Sequence, residues 1–179
     1  MNIAIVGATG NVGRKTLEVL EKKGLTLGNL YLVASSKSAG KKIHFQGKDI
    51  VVSELENFDF SKVKIAFFAA GGKISEKFAE KAAKHCLVID NSSFFRMDPD
   101  VPLIVPQVNS DDLNNVKKNI IANPNCSTAQ LVIALKPLHD LFVIKRIVVS
   151  TYQSVSGAGK ASMDAVSYTH LTLPTTPVV

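Results

Sequence analysis

Cys126 is the residue of this chain best suited to making and breaking a covalent bond. It stands in Asn123-Pro124-Asn125-Cys126-Ser127-Thr128, between a short apolar run and a long helical pattern. Pro124 disfavours helical geometry at Asn123, and Ser127 or Thr128 can help to start the helix. Cys126 is therefore expected at a helix N-terminus, where the backbone dipole favours a thiolate. A thiolate so placed is suited to acyl transfer, and a thioester held beside a nicotinamide can accept a hydride. A cysteine without such a setting is more often structural. Cys86, at the start of the apolar run 87–90, is expected to be inert core.

The second chemical pattern is Gly7-Ala8-Thr9-Gly10-Asn11-Val12-Gly13, which joins the first apolar run to the first helical pattern. Glycines let a backbone turn sharply and approach a pyrophosphate, and the following helix offers free N–H groups to it. The spacing is GxxGxxG rather than the commoner GxGxxG. A glycine cluster alone could be a plain structural turn; its place between an N-terminal strand and a helix supplies the context that dinucleotide binding requires. The end of the second strand distinguishes the cofactors, because an acidic residue there suits a ribose hydroxyl and cationic or hydroxyl donors suit a 2′-phosphate. Here the strand runs into Ser35-Ser36-Lys37-Ser38, with Lys41 and Lys42 behind, and no Asp or Glu occurs between Glu21 and Asp49. The loop could be merely solvated; read as a site, it selects NADP.

The elements that must position these residues follow from hydrophobic patterning. Apolar runs at 2–6, 30–34, 48–52, 64–69, 87–90, 102–105 and 120–122 read as strands. Helices are expected after Gly10, at 75–85 and at 109–116. Continuously apolar strands alternating with helices imply a doubly wound α/β domain, its parallel sheet covered on both faces. After Pro124 the character changes: 127–141 reads as a helix with Leu131, Leu135 and Leu138 in register, and 144–154 reads as a long strand ending in Ser156-Gly157-Ala158-Gly159. A second domain of α+β type is expected to start here, with too little chain left to finish it. Hydrophobic residues make up 46% and charged residues 20% of the 179, a globular composition. No apolar run reaches the roughly 18–20 residues of a membrane span, and the N-terminus lacks a signal-peptide pattern. The +6 charge is scattered rather than gathered into a nucleic-acid-binding patch. Two cysteines and no metal-ligand spacing point to a reducing, cytoplasmic setting.

Residues 7–13, 34–41, 69–72, 90–96, 123–130 and 153–160, taken together, resemble the successive motifs of the aspartate-semialdehyde dehydrogenases. The resemblance covers residues 1–165. It implies a Rossmann-like NADP-binding domain over 1–123 and, over 124–165, the start of a domain for catalysis and dimer contacts. The implied reaction is NADPH-dependent reduction of L-aspartyl 4-phosphate to L-aspartate 4-semialdehyde, on the route to lysine, threonine and methionine, by a homodimer or tetramer. It implies NADP contacts at Thr9, Gly10, Asn11 and Val12, at Ser35, Ser36, Lys37 and Ser38, and at Ser156 and Gly157. Cys126 takes the acyl-thioester role. Arg96, in Asn91-Ser92-Ser93-Phe94-Phe95-Arg96, matches a phosphate-binding arginine, for which a guanidinium fork is suited. Gln153 matches a substrate-contacting glutamine, whose amide can orient an acyl oxygen without adding charge. The family's acid/base histidine and its carboxylate-gripping arginine have no counterpart in residues 1–165, and neither His139 nor His170 is placed to substitute. N-acetyl-glutamyl-phosphate reductases share the chemistry but set their cysteine in a Gly-Cys-Tyr context. A non-catalytic dinucleotide-binding module is the alternative outside enzymes.

Residues 166–179 contain no Asp, Glu, Lys or Arg, and resemble the translation of a transposase adapter used in sequencing libraries. They are expected to be non-native. Resequencing the source gene from unfragmented DNA is expected to replace them with continuing coding sequence; a native stop codon directly after Val179 contradicts the adapter reading.

Overall fold

Alternate residues of each strand face opposite ways, and both faces of this sheet are apolar. The computed structural model describes residues 1–159 and 162–166. Its strands are β1 (Ile3–Val6), β2 (Leu30–Ala34), β3 (Lys42–Phe45), β4 (Lys48–Glu54), β5 (Ile65–Phe68), β6 (Leu87–Asp90) and β7 (Ile120–Ala122), in the order β3-β4-β2-β1-β5-β6-β7. Ile5, Leu32 and Val52 point to one face, where Leu17 and Leu20 of helix α1 (Asn11–Lys22) cover them. Ala4, Val6, Val33, Ala66, Phe68 and Val88 point to the other, under Phe78, Ala79, Ala82 and Ala83 of α2 (Gly72–Ala83). Tyr31, Phe58, Phe60 and Phe68 form a chain of ring contacts with centroids 5.1–6.1 Å apart along that second layer. The doubly wound α/β architecture read from the sequence is the one observed.

The chain leaves β1 toward β2 and β4, then returns to pair β5 on β1's other side. Connections thus diverge at β1, and such a switch point opens a crevice at the carboxyl ends of the strands. Every strand pair is parallel except β3–β4.

That hairpin is one departure from expectation, because no strand was expected at 42–45. Gln46 and Gly47 both take positive φ (47° and 77°), the two-residue turn that matches strand twist. Ile43 and Phe45 turn inward while Lys42 and His44 stay exposed, a period-2 signal that the short run carried. The strand expected at 102–105 is only an isolated bridge, Leu103 to Ala122. The helix expected at 109–116 is instead α3 (Pro106–Asn109) followed by a 3-10 segment, Ser110–Asn115. Pro106 sets the earlier start, since its ring suits a first helical turn. The Asn109 side chain then accepts from Val105 N at 2.8 Å and donates to Leu103 O at 2.9 Å, which closes the turn on itself.

Beyond β7, α4 (Cys126–Phe142) fits the helix expected at 127–141, yet buries none of its 17 residues fully. Residues 144–154 form no strand among the described residues, contrary to the long strand expected there. A strand needs a neighbour for its N–H and C=O groups, and this segment has none to pair with, so Val148 stands 80% exposed. Residues 162–166 are helical. Residues 167–179, most of the tail read as non-native, lie outside the described residues.

Asp90, the last residue of β6, is fully buried. Its carboxylate accepts from Ser75 Oγ (2.7 Å), Ser92 N (3.0 Å) and Ser92 Oγ (2.6 Å). Replacing Asp90 by alanine strands these donors away from water, at roughly 1–3 kcal/mol each. Urea unfolding of Asp90→Ala is therefore expected to show a loss of at least about 3 kcal/mol, whereas Lys77→Ala, which removes an exposed ion pair to Glu56, should cost under about 1 kcal/mol.

Candidate active site

A cavity of about 760 Å³ opens where the strands end, lined by Val6 at the end of β1 and Gly7 beyond it, Ala34 at the end of β2, Glu54 at the end of β4, Ala69 after β5 and Asn91 after β6. The glycine turn forms one wall. Gly7 has φ +84°, and a Cβ there would lie 2.7 Å from Ala69 O. A Cβ on Gly13 would lie 2.2 Å from Gly7 O, so only glycine lets α1 seat against the turn. No side chain caps α1 at Gly10, which leaves its first N–H groups without a side-chain acceptor. Such a helix end is the usual seat of a phosphate. This cradle, closed to any Cβ, fits a dinucleotide's pyrophosphate.

Thr9, Gly10, Asn11 and Val12 all line the cavity, and so do Ser35 and Ser36. Lys37 and Ser38 belong to the same short 3-10 turn, Ser36–Ser38, without lining it. Thr9 Oγ1 donates to Ser38 Oγ at 3.4 Å, which ties this turn to the glycine turn. Gly157 lines the cavity; Ser156 is its neighbour, with Oγ 2.8 Å from Ser154 Oγ. The fold adds two carboxylates that sequence reasoning missed at this rim, Glu54 and Glu56. They come from the end of β4, remote in sequence from Ser35. Asn57 Nδ2 donates to Glu54 at 2.8 Å, and Lys77 pairs with Glu56 at 2.6 Å.

Arg96 also lines the cavity and is held by the backbone. Its Nε donates to Asn123 O at 2.9 Å and its Nη2 to Asn91 O at 3.1 Å. Asn123 Nδ2 in turn donates to Asn91 Oδ1 at 2.7 Å. Phe94 N donates to Ser92 Oγ, so the loop from 91 to 96 is pinned through Ser92 to buried Asp90. The remaining guanidinium donors are free of these contacts and available to an anion.

Cys126 is the first residue of α4 and is exposed. The helix is capped by Asn125, whose Oδ1 accepts from Ser127 N at 2.9 Å, rather than by Ser127 or Thr128. Asn125 lines the cavity, its Oδ1 lies 3.9 Å from Cys126 Sγ, and its Nδ2 donates to Gln153 Oε1 at 2.9 Å. Neither Cys126 nor Gln153 lines the cavity; both meet it through Asn125, a lining residue that the sequence does not single out. Cys86 is buried against α2, where desolvation pushes its thiol up to about 11. His139 lines a separate recess of about 370 Å³ with Val132, Leu135 and Ile144, and His170 lies outside the described residues. Among the described residues no cluster of three or more His, Cys, Asp or Glu could hold a metal ion, and no helix is long and apolar enough to cross a membrane.

The family model "Semialdehyde dehydrogenase, NAD binding domain" matches residues 2–116, and "Semialdehyde dehydrogenase, dimerisation domain" matches residues 135–175. Curated relatives include the aspartate-semialdehyde dehydrogenase of Rickettsia bellii, 52% identical over 165 residues, which are 91% of this chain and 49% of the relative. Aspartate-semialdehyde dehydrogenase 2 of Vibrio cholerae is 52% identical over 168 residues, covering 93% of this chain and 50% of its own. The crystal structure of aspartate semialdehyde dehydrogenase II from Vibrio cholerae complexed with ASA superposes with a TM-score of 0.89 at 51% identity, over 93% of this chain and 50% of that one. That of aspartate semialdehyde dehydrogenase with NADP from Candida albicans gives 0.66 at 30% identity, over 80% and 48%. The chain spans about half the length of the curated relatives it matches. A model for the nucleotide-binding domain that matches most of the sheet, and a fold shared with these structures, make one assignment: the chain belongs to the semialdehyde dehydrogenase family.

Proposed function

We propose that the whole protein reduces L-aspartyl 4-phosphate to L-aspartate 4-semialdehyde, using NADPH and a thioester on Cys126. The observation that carries this reading is the common wall of one cavity. The glycine turn and Arg96 both line it, and Asn125, another lining residue, lies 3.9 Å from the Cys126 thiol. The names of the relatives, and the ASA and NADP bound in two of the similar structures, support the substrate class and the cofactor.

In this mechanism the Cys126 thiolate attacks the acyl carbon, a C–S bond forms, and the tetrahedral oxyanion collapses with loss of phosphate. Arg96, locked by the Asn123 and Asn91 carbonyls, holds the phosphate group as it leaves. Gln153 orients the acyl oxygen, which keeps the carbon aligned at little entropic cost. The bound dinucleotide supplies the hydride that reduces the thioester, and Cys126 leaves again as thiolate to release the aldehyde. Proton transfer and the grip on the substrate carboxylate come from residues beyond 165. Thr9, Gly10, Asn11 and Val12 hold the pyrophosphate, Ser156 and Gly157 flank it, and Ser35, Ser36, Lys37 and Ser38 receive the 2′-phosphate. Glu54 and Glu56 share that rim, but each already has a donor, which blunts their repulsion.

The same reading divides the chain into a nucleotide-binding domain at 1–123, the start of a catalytic and dimerisation domain at 124–165, and a non-native tail at 166–179. It makes the protein a cytoplasmic homo-oligomer acting on small molecules. The exposed face of α4 and of 144–154 is the surface that the second domain would use.

Two substitutions in the full-length enzyme test the proposal, read as phosphate-dependent oxidation of aspartate semialdehyde. Cys126→Ala is expected to lower turnover by on the order of 10⁴-fold or more; activity near that of the parent contradicts the thioester. Lys37→Glu is expected to raise the KM for NADPH about tenfold, equivalent to 1.4 kcal/mol of binding, with a much smaller effect on NADH. Equal losses for the two cofactors remove Lys37 from the 2′-phosphate site.

A further inference from the structure

An amide side chain has a donor end and an acceptor end, and which end faces a substrate decides what it can bind. Gln153 is expected to orient the acyl group, but a free glutamine could present either end. The hydrogen bonds around it remove that freedom. The first N–H groups of α4 need acceptors, and Ser127 N finds one in Asn125 Oδ1 at 2.9 Å. With its oxygen turned to Ser127 N and the Cys126 thiol, Asn125 points Nδ2 the other way. That nitrogen meets Gln153 at 2.9 Å, and the atom it meets is Oε1. The acceptor end of Gln153 is thereby used, which turns Nε2 outward. On that side lies the cofactor loop: a Cβ built on Gly157, a residue lining the cavity, would stand 3.4 Å from Gln153 Nε2.

We propose that Asn125 is a positioning residue that passes the polarity of the α4 N-terminus to Gln153, so that Gln153 presents an N–H donor to the substrate's acyl oxygen. This rests on the functional reading above, and adds to it both the residue that acts and the direction of the hydrogen bond. The direction matters chemically. Charge builds on the acyl oxygen when Cys126 adds to the carbon, and a fixed donor stabilises that oxyanion where a carbonyl oxygen would repel it. The backbone of one helix thus sets the polarity of a side chain on a segment 28 residues away.

The test separates Asn125's two duties in the full-length enzyme. Asn125→Ser and Asn125→Asp both keep an acceptor for Ser127 N, so the helix cap survives. Neither carries a donor that reaches Gln153. Both are expected to lower kcat on the order of 10²-fold, the scale for a misplaced reacting group, with the KM for NADPH and the melting temperature unchanged. Gln153→Ala should lower kcat by a similar factor. The double variant Asn125→Ser/Gln153→Ala should be no slower than Gln153→Ala alone, because Asn125 acts through Gln153. Multiplicative losses in the double variant, or an Asn125→Asp enzyme with the parent's kcat, overturn the relay while leaving the thioester mechanism standing. An unchanged kcat in Gln153→Ala overturns the relay together with Gln153's role in the reaction, and still leaves Cys126 to be judged by its own substitution.

Discussion

A buried polar group is tolerated only where hydrogen-bond partners surround it, and the site end of this molecule is organised around one such carboxyl. Asp90 ends β6 with no exposure to water, and its three donors come from α2 and from the loop that follows. Because Ser75 sits on α2, the bond fixes that helix against the sheet at its carboxyl edge. Because Ser92 opens the 91–96 loop, the same carboxylate fixes the path that delivers Arg96. Its backbone carbonyl extends the arrangement one strand further, accepting from Asn123 N at 2.8 Å. Asn123 O then receives Arg96 Nε. The cation is therefore mounted on β6, β7 and α2 together, with its guanidinium held by carbonyls rather than by a neutralising carboxylate. It keeps its positive charge for the cavity.

The other wall is built from close backbone approach instead of charge. Gly7 and Gly13 let β1, the end of β5 and the start of α1 come together more closely than any Cβ allows. What results is a helix end with open N–H groups at the bottom of the crevice. The two parts use different devices, side-chain donors from Arg96 and backbone donors from α1, and both kinds of donor suit anions. Between them, Asn125 carries three contacts: the α4 cap, Gln153 and the neighbourhood of the Cys126 thiol. The two cysteines illustrate what position does to one functional group. Cys86 lies buried against α2 with its thiol pushed up to about 11, while Cys126 is exposed at the cavity's edge.

Much of this was legible in the residues. A glycine run between a strand and a helix, six apolar runs and a cysteine after Asn-Pro-Asn each carry a local signal, and each lands within a residue or two of its expected place. What was not legible depends on contacts between distant parts. Lys42–Phe45 carries only a weak signal because its alternation is short and its Gln46-Gly47 turn lacks the usual Asn or Asp. The run at 102–105 has strand composition but meets β7 at one bridge only. Asn125 carries no distinguishing signal in the sequence, because a cap is defined by the N–H it accepts from, and Ser127 and Thr128 are equally good caps by type. Glu54 and Glu56 reach the cofactor rim only because β4 pairs β2, a fact of topology that no window of sequence contains. The run at 144–154 has a strand's period without a strand's partner.

We infer that one cleft serves both the dinucleotide and the Cys126 thiol. Iodoacetamide labelling at pH 8, followed by peptide mass spectrometry with and without saturating NADPH, tests this on the chain as it stands. Cys126 is expected to be alkylated, NADPH to slow its alkylation severalfold, and Cys86 to stay unlabelled in the folded chain throughout. Alkylation of Cys126 at the same rate with and without NADPH would contradict it.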